Sequence, residues 1–149
     1  MALLSPAARQ GTGPLARLMR EGGLYCVFQP LADLREGQVY AHEALIRGPQ
    51  NTPLHTPDKL LELARHEGIL QDFELLCVYT AMEQWGRHDA PGRLFVNISA
   101  DALVHGVQLI GATELGNTVR SLGLSARMLV LEITCLLYTS DAADDSLRV

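Results

Sequence analysis

The chain has 149 residues, 48% of them hydrophobic and 19% charged, and its 12 Lys plus Arg against 17 Asp plus Glu give a formal net charge of −5. That length and apolar content suit one globular domain with a real core, which excludes a collagen, a coiled coil, a disulfide scaffold and disorder over most of the chain. The acidic balance, with a pI near 5.4, argues against coating a DNA or RNA polymer, because such binding displaces counterions with clustered Lys and Arg; small anionic ligands held by a few local cations remain open.

Residues 1–20 mix Ala, Gly, Pro and Arg without a clear period and read as a linker or the end of an upstream helix. Nothing in the chain reaches the roughly 18 uninterrupted apolar residues of a membrane span, and the opening run has no long apolar core, so the expectation is a cytoplasmic segment without membrane contact. Cys26, Cys77 and Cys135 are odd in number and widely spaced, which reads as reduced thiols. Leu24 to Asp33 (LYCVFQPLAD) and Val39 to Arg47 (VYAHEALIR), joined through Arg35–Gln38, predict two strands in a hairpin. A proline-containing loop, Pro49 to Pro57, ends with Thr56 as candidate N-cap and Pro57 at the first helical position. Leu60, Leu61, Leu63 and Ala64 then form a helical stripe, with Gly68 as its stop.

A second helix is expected over Leu70–Trp85, where Leu70, Phe73, Cys77, Ala81 and Trp85 recur at three- and four-residue spacings. Leu94–Ile98 (LFVNI) reads as a buried strand, with Ser99 as the N-cap of the segment after it. A less regular helical stretch around Val107–Leu122 precedes a strand at Met128–Thr134. Two buried strands with a helix between them make a βαβ unit, so the fold class is α/β with a parallel sheet.

Polar residues interrupt these greasy strands. Glu43 sits inside AHEALIR, Asn97 near the end of LFVNIS, and Glu132 inside LVLEIT. A carboxylate in a buried strand is costly unless paired, hydrogen-bonded or bound to a metal. If the strands are parallel, the three side chains lie toward their C-terminal ends, where α/β folds place ligands. Oxygen-only ligands favour Mg²⁺ or Mn²⁺ over zinc; the competing reading is a set of salt-bridged or rim residues. Arg47 shares the face of Glu43 and Leu45 by the period of two, and either balances Glu43 or grips a phosphate in bidentate fashion. His42 points the other way. The five histidines are scattered and read as surface or packing residues.

At these residues the sequence resembles a family. FQPLADLREGQVYAHEALIRG, Phe28 to Gly48, is similar to the opening of the EAL domain, whose namesake tripeptide is Glu43-Ala44-Leu45. Gln29-Pro30 one strand earlier, Asn97-Ile98-Ser99 in the NxS position and Leu131-Glu132-Ile133-Thr134 in the LExTE position support it in order and spacing. The resemblance implies a TIM-like (β/α)8 barrel, here roughly its first half over residues 21–134, that hydrolyses cyclic di-GMP to pGpG with two Mg²⁺ or Mn²⁺ ions. It assigns Glu43, Asn97 and Glu132 to metal binding and Gln29, Leu45 and Arg47 to substrate binding. Dimerisation of the full-length protein and a flanking cyclase or receiver domain are further family expectations.

Departures from the pattern begin after Thr134. Cys135 stands where the family has Glu, and the paired-aspartate motif, catalytic lysine, later glutamate and glutamine are absent, so the catalytic residues are expected beyond Thr134. Lys59 lies on a predicted helix, far from the family's lysine. The segment 135–149 (CLLYTSDAADDSLRV) resembles translated adaptor read-through and is set apart as non-native. The expectation is therefore part of a cyclic di-GMP phosphodiesterase domain, inactive in this form. The alternatives are a degenerate EAL module that binds cyclic di-GMP or a protein partner without hydrolysis, and a product with no function.

Overall fold

A computed structural model describes residues 3–89 and 92–134; the segment 135–149 lies outside the described residues. Its first two strands, β1 (Tyr25–Asp33) and β2 (Gln38–Arg47), form the expected antiparallel hairpin. The turn closes because Gly37, at φ 64°, donates its N–H to the Asp33 carbonyl at 2.7 Å, a left-handed position that glycine adopts without strain. The register jumps from Leu31↔Ala41 to Ala32↔Val39, leaving Tyr40 as the extra residue of a bulge.

Two crossovers complete the described sheet. Helices α3 (Pro57–His66) and α4 (Leu70–Arg87) lead to β3 (Arg93–Ser99), and α5 (Ala100–Ile110) and α6 (Ala112–Ser121) lead to β4 (Leu129–Thr134). The sheet order is β1-β2-β3-β4, with β3 parallel to β2 and β4 parallel to β3. Strand alternation sends Cys26, Ala44, Leu94, Val96 and Ile98 to one face, where they bury against Leu75, Val78, Ala81, Met82 and Trp85 of α4. The opposite face carries Gln29, Glu43, Leu45, Arg47, Asn97 and Glu132.

The segment read as a linker or the end of an upstream helix forms two short helices over its described residues. α1 (Pro6–Gln10) and α2 (Pro14–Glu21) precede the sheet, and Leu4, Ala8, Leu15, Ala16 and Met19 join Leu60, Ala64, Phe73 and Leu76 in a second core cluster. Five-residue α1 is too short to display a period, while α2 buries Leu15, Ala16 and Met19 on one short stripe; the start signals Ser5-Pro6 and Gly13-Pro14 are the other legible trace. The expected stretch Val107–Leu122 is also corrected. Helix begins at Ala100, straight after the Ser99 cap, and divides at Gly111, φ 87°. Only Ala102 and Gly106 of α5 are buried, and nothing in α6 is, so the apolar stripe that reveals a helix is too thin here to read.

Candidate functional site

Three strands bring the polar residues together at one face. Gln29 pairs with Glu43 in the antiparallel register, Glu43 lies beside Phe95, and Asn97 lies beside Glu132. Asn97 Nδ2 donates to Glu43 Oε1 at 2.9 Å, which orients the amide and leaves its oxygen without a partner among the described residues. Glu132 is half-buried and makes no hydrogen bond or ion pair with the described residues. Two carboxylates and an amide are hard oxygen donors, the chemistry of a Mg²⁺ or Mn²⁺ site. Among the described residues no group of three or more His, Cys, Asp or Glu side chains is placed to hold a metal ion.

Arg47 does not balance Glu43. Its guanidinium donates to the Ile46 carbonyl at 2.8 Å, and among the described residues no carboxylate lies within ion-pair distance. Its charge thus remains available at the C-terminal end of β2. It faces Tyr25 across the hairpin, whose ring lies 6.4 Å from that of His55. Leu45 is half-buried and Gln29 exposed.

Leu45, Asn97 and Thr134 also line a cavity of about 210 Å³ whose opposite wall is Leu61, Phe73, Glu74 and Cys77. Burial pushes the Cys26 thiol in that wall up to about 12, partly opposed by the Arg47 charge, and burial also raises the Cys77 thiol well above its ordinary value. Both stay protonated at neutral pH and are poor nucleophiles. His42 packs on Trp85 with ring centroids 4.9 Å apart, on the helix side of the sheet. Lys59 is exposed on α3 and pairs with Glu62 at 2.9 Å.

Glu74 is a residue that the sequence pattern did not single out. It is 7% exposed, and its two oxygens accept from Ser99 N at 2.9 Å and Ser99 Oγ at 2.8 Å. An acidic residue next to Phe73 on an apolar helix was the available signal, and helical spacing alone could not say what it faces.

The EAL domain family model matches residues 14–148. The chain belongs to the EAL domain family. Its α/β fold matches solved EAL domains, a TIM-like barrel family. The EAL domain of FimX from Xanthomonas citri, solved in complex with c-di-GMP, aligns with a TM-score of 0.62 at 18% identity over 78% of this chain and 46% of its own. The EAL domain of FimX from Pseudomonas aeruginosa, bound to c-di-GMP, aligns at 0.61 and 23% identity over 81% of this chain and 50% of its own. BlrP1 from Klebsiella pneumoniae, in a manganese and cyclic di-GMP complex, aligns at 0.62 and 20% identity over 74% of this chain and 27% of its own. This EAL chain therefore spans half or less of the length of these relatives. A search of curated protein sequences finds no match. No helix among the described residues is long and apolar enough to cross a membrane.

Proposed function

We propose that this chain supplies the first part of a cytoplasmic phosphodiesterase domain that hydrolyses cyclic di-GMP to pGpG, and that these 149 residues do not catalyse the reaction alone. The observation that carries the reading is the Asn97–Glu43 hydrogen bond at 2.9 Å, which joins two oxygen-bearing side chains on the open sheet face of an EAL chain, with Glu132 in register beside them. In this reading Glu43, Asn97 and Glu132 hold divalent metal, while Gln29, Leu45 and Arg47 contact substrate. Bound at such a site, a pair of Mg²⁺ or Mn²⁺ ions lowers the pKa of a water and neutralises phosphodiester charge. Arg47 contributes a fixed cation with no competing carboxylate among the described residues, suited to a phosphate oxygen. Leu45 offers an apolar contact at the cavity rim.

The size of the cavity speaks against turnover by the chain alone. A cavity of about 210 Å³ is smaller than the roughly 300–1,000 Å³ of ordinary ligand pockets, and a dinucleotide needs more wall than the described residues provide. The test is chromatographic detection of pGpG from cyclic di-GMP with Mg²⁺ or Mn²⁺, using this chain and a full-length EAL domain that carries it. The full-length domain should cleave and lose cleavage on Glu43→Ala, and the 149-residue chain should show no turnover. Binding of cyclic di-GMP without cleavage by the full-length domain would favour the degenerate-module reading. Metal-dependent turnover by the chain alone would overturn the assignment of the chemistry.

A further inference from the structure

We propose that Glu74 is the positioning residue of this site, fixing Asn97 by clamping the turn at Ser99. The proposal rests on the reading of Glu43 and Asn97 as a metal-holding pair, although the first readout of its test is independent of metal. The β2–β3 ladder ends at the pair Ala44↔Val96. Asn97 is thus the first residue of β3 beyond it, held by backbone pairing on the β4 side only. Two residues on, at Ser99, the strand stops and α5 starts. Without another restraint the end of β3 is tethered on one side, and the reach of the Asn97 amide toward Glu43 is free to vary.

Glu74 supplies that restraint. Both its oxygens are committed to Ser99, one to the backbone N–H and one to the hydroxyl, while Ser99 Oγ accepts from Ala102 N at 3.1 Å to cap α5. Among the described residues no cationic side chain pairs with Glu74. A buried carboxylate without a counter-ion carries a large desolvation cost, offset here by two charge-assisted hydrogen bonds and by the positive end of the α5 dipole. An uncharged side chain would cap the helix with less desolvation; the charged one gives a stiffer two-point hold. Glu74 and Asn97 also line the same cavity.

The test uses the 149-residue chain, isotope-labelled, as wild type, Glu74→Gln, Ser99→Ala and Ser99→Thr. Wild type should show the Asn97 side-chain amide shifted and protected by its bond to Glu43, and Mn²⁺ should broaden the Asn97 and Glu132 signals. Glu74→Gln should return the Asn97 amide toward the position of a free amide and weaken Mn²⁺ binding by about tenfold, the usual effect of removing a residue that orients a ligand, while the β1–β2 hairpin resonances stay in place. Ser99→Thr should match wild type, and Ser99→Ala should fall between. Glu74→Gln with a wild-type Asn97 amide and wild-type Mn²⁺ affinity would overturn the proposal. If Glu74→Gln does not fold, Ser99→Ala decides on the same two signals, since it removes one of the two clamping bonds. Absence of Mn²⁺ broadening in the wild type would overturn the metal reading alone, and the Asn97 amide would still decide the role of Glu74.

Discussion

Asn97 reaches from β3 to Glu43 on β2 just past the last ladder pair of those two strands, donating Nδ2–H to Oε1 at 2.9 Å. The amide is therefore a donor in a position that a carboxylate of nearly the same shape cannot serve. Asn97→Asp would face two like charges across a hydrogen-bond distance, a repulsion of about 1 kcal/mol at a solvated site. Urea titration should find Asn97→Asp less stable than wild type by that amount at pH 7. Asn97→Ala should cost no more than about 1 kcal/mol, the net value of one hydrogen bond. Equal stability of Asn97→Asp and wild type at pH 7 would mean that the two side chains do not meet in solution.

Among the described residues Arg47 bonds only to the carbonyl of its own neighbour, Ile46, so its removal should leave the fold nearly untouched. In a full-length EAL domain carrying these residues, Arg47→Ala is expected to weaken cyclic di-GMP binding by ten- to a hundredfold, since a charge-assisted hydrogen bond contributes about 1.5–3 kcal/mol. Arg47→Lys should recover part of that, because an ammonium supplies the charge without the planar fork. Calorimetric titration with thermal melting of the same samples separates the two effects. Loss of melting temperature in parallel with affinity would assign Arg47 to the fold instead.

Asp72 does for the start of the chain what Glu74 does for β3. Its carboxylate accepts from Ser5 N at 2.7 Å and Ser5 Oγ at 2.8 Å, fixing the N-cap of α1. Asp72→Ala should release residues 3–10 to fast amide exchange while leaving the exchange of β1–β3 amides close to wild type, because a short helix with few buried residues opens by itself at low cost. Hydrogen exchange read by mass spectrometry checks this. Uniform acceleration across the sheet would show instead that α1 folds as one unit with the rest.

Legibility in the sequence depended on how far away each residue's partners sit. The hairpin, the helices opening at Pro57 and Leu70 and the buried strands were legible because alternation, prolines and glycines act within a few residues. Glu43, Asn97 and Glu132 stood out because a polar side chain in an apolar strand needs a partner. The partners themselves were not legible: Glu74 meets Ser99 and Asp72 meets Ser5 across 25 and 67 residues. Likewise α1 and α5 bury only small residues, Ala8, Ala102 and Gly106, and α6 buries none, which leaves little hydrophobic period in the chain.

The two described thiols make the fold sensitive to alkali. Burial holds the Cys26 thiol at about 12 against an ordinary 9.0 and raises Cys77 as well. Raised in the folded state, each thiol contributes stability that is complete below the ordinary thiol range, where folded and unfolded chains are both protonated. As pH rises past about 9 the unfolded chain ionises and the folded one does not, so stability falls by about 1.4 kcal/mol per pH unit for each such thiol until the folded group itself ionises. Urea midpoints measured from pH 8 to pH 10.5 should therefore drop steeply for wild type and less steeply for Cys26→Ala, with the difference opening only above pH 9. Cys26→Ala starts from a lower midpoint, because it leaves a small void against Ala44 and Ala81, so the slope is the diagnostic quantity. Below pH 9 the two curves should run parallel. An identical alkaline slope in both proteins would show that the Cys26 thiol reaches water in solution and that its wall of the cavity is open.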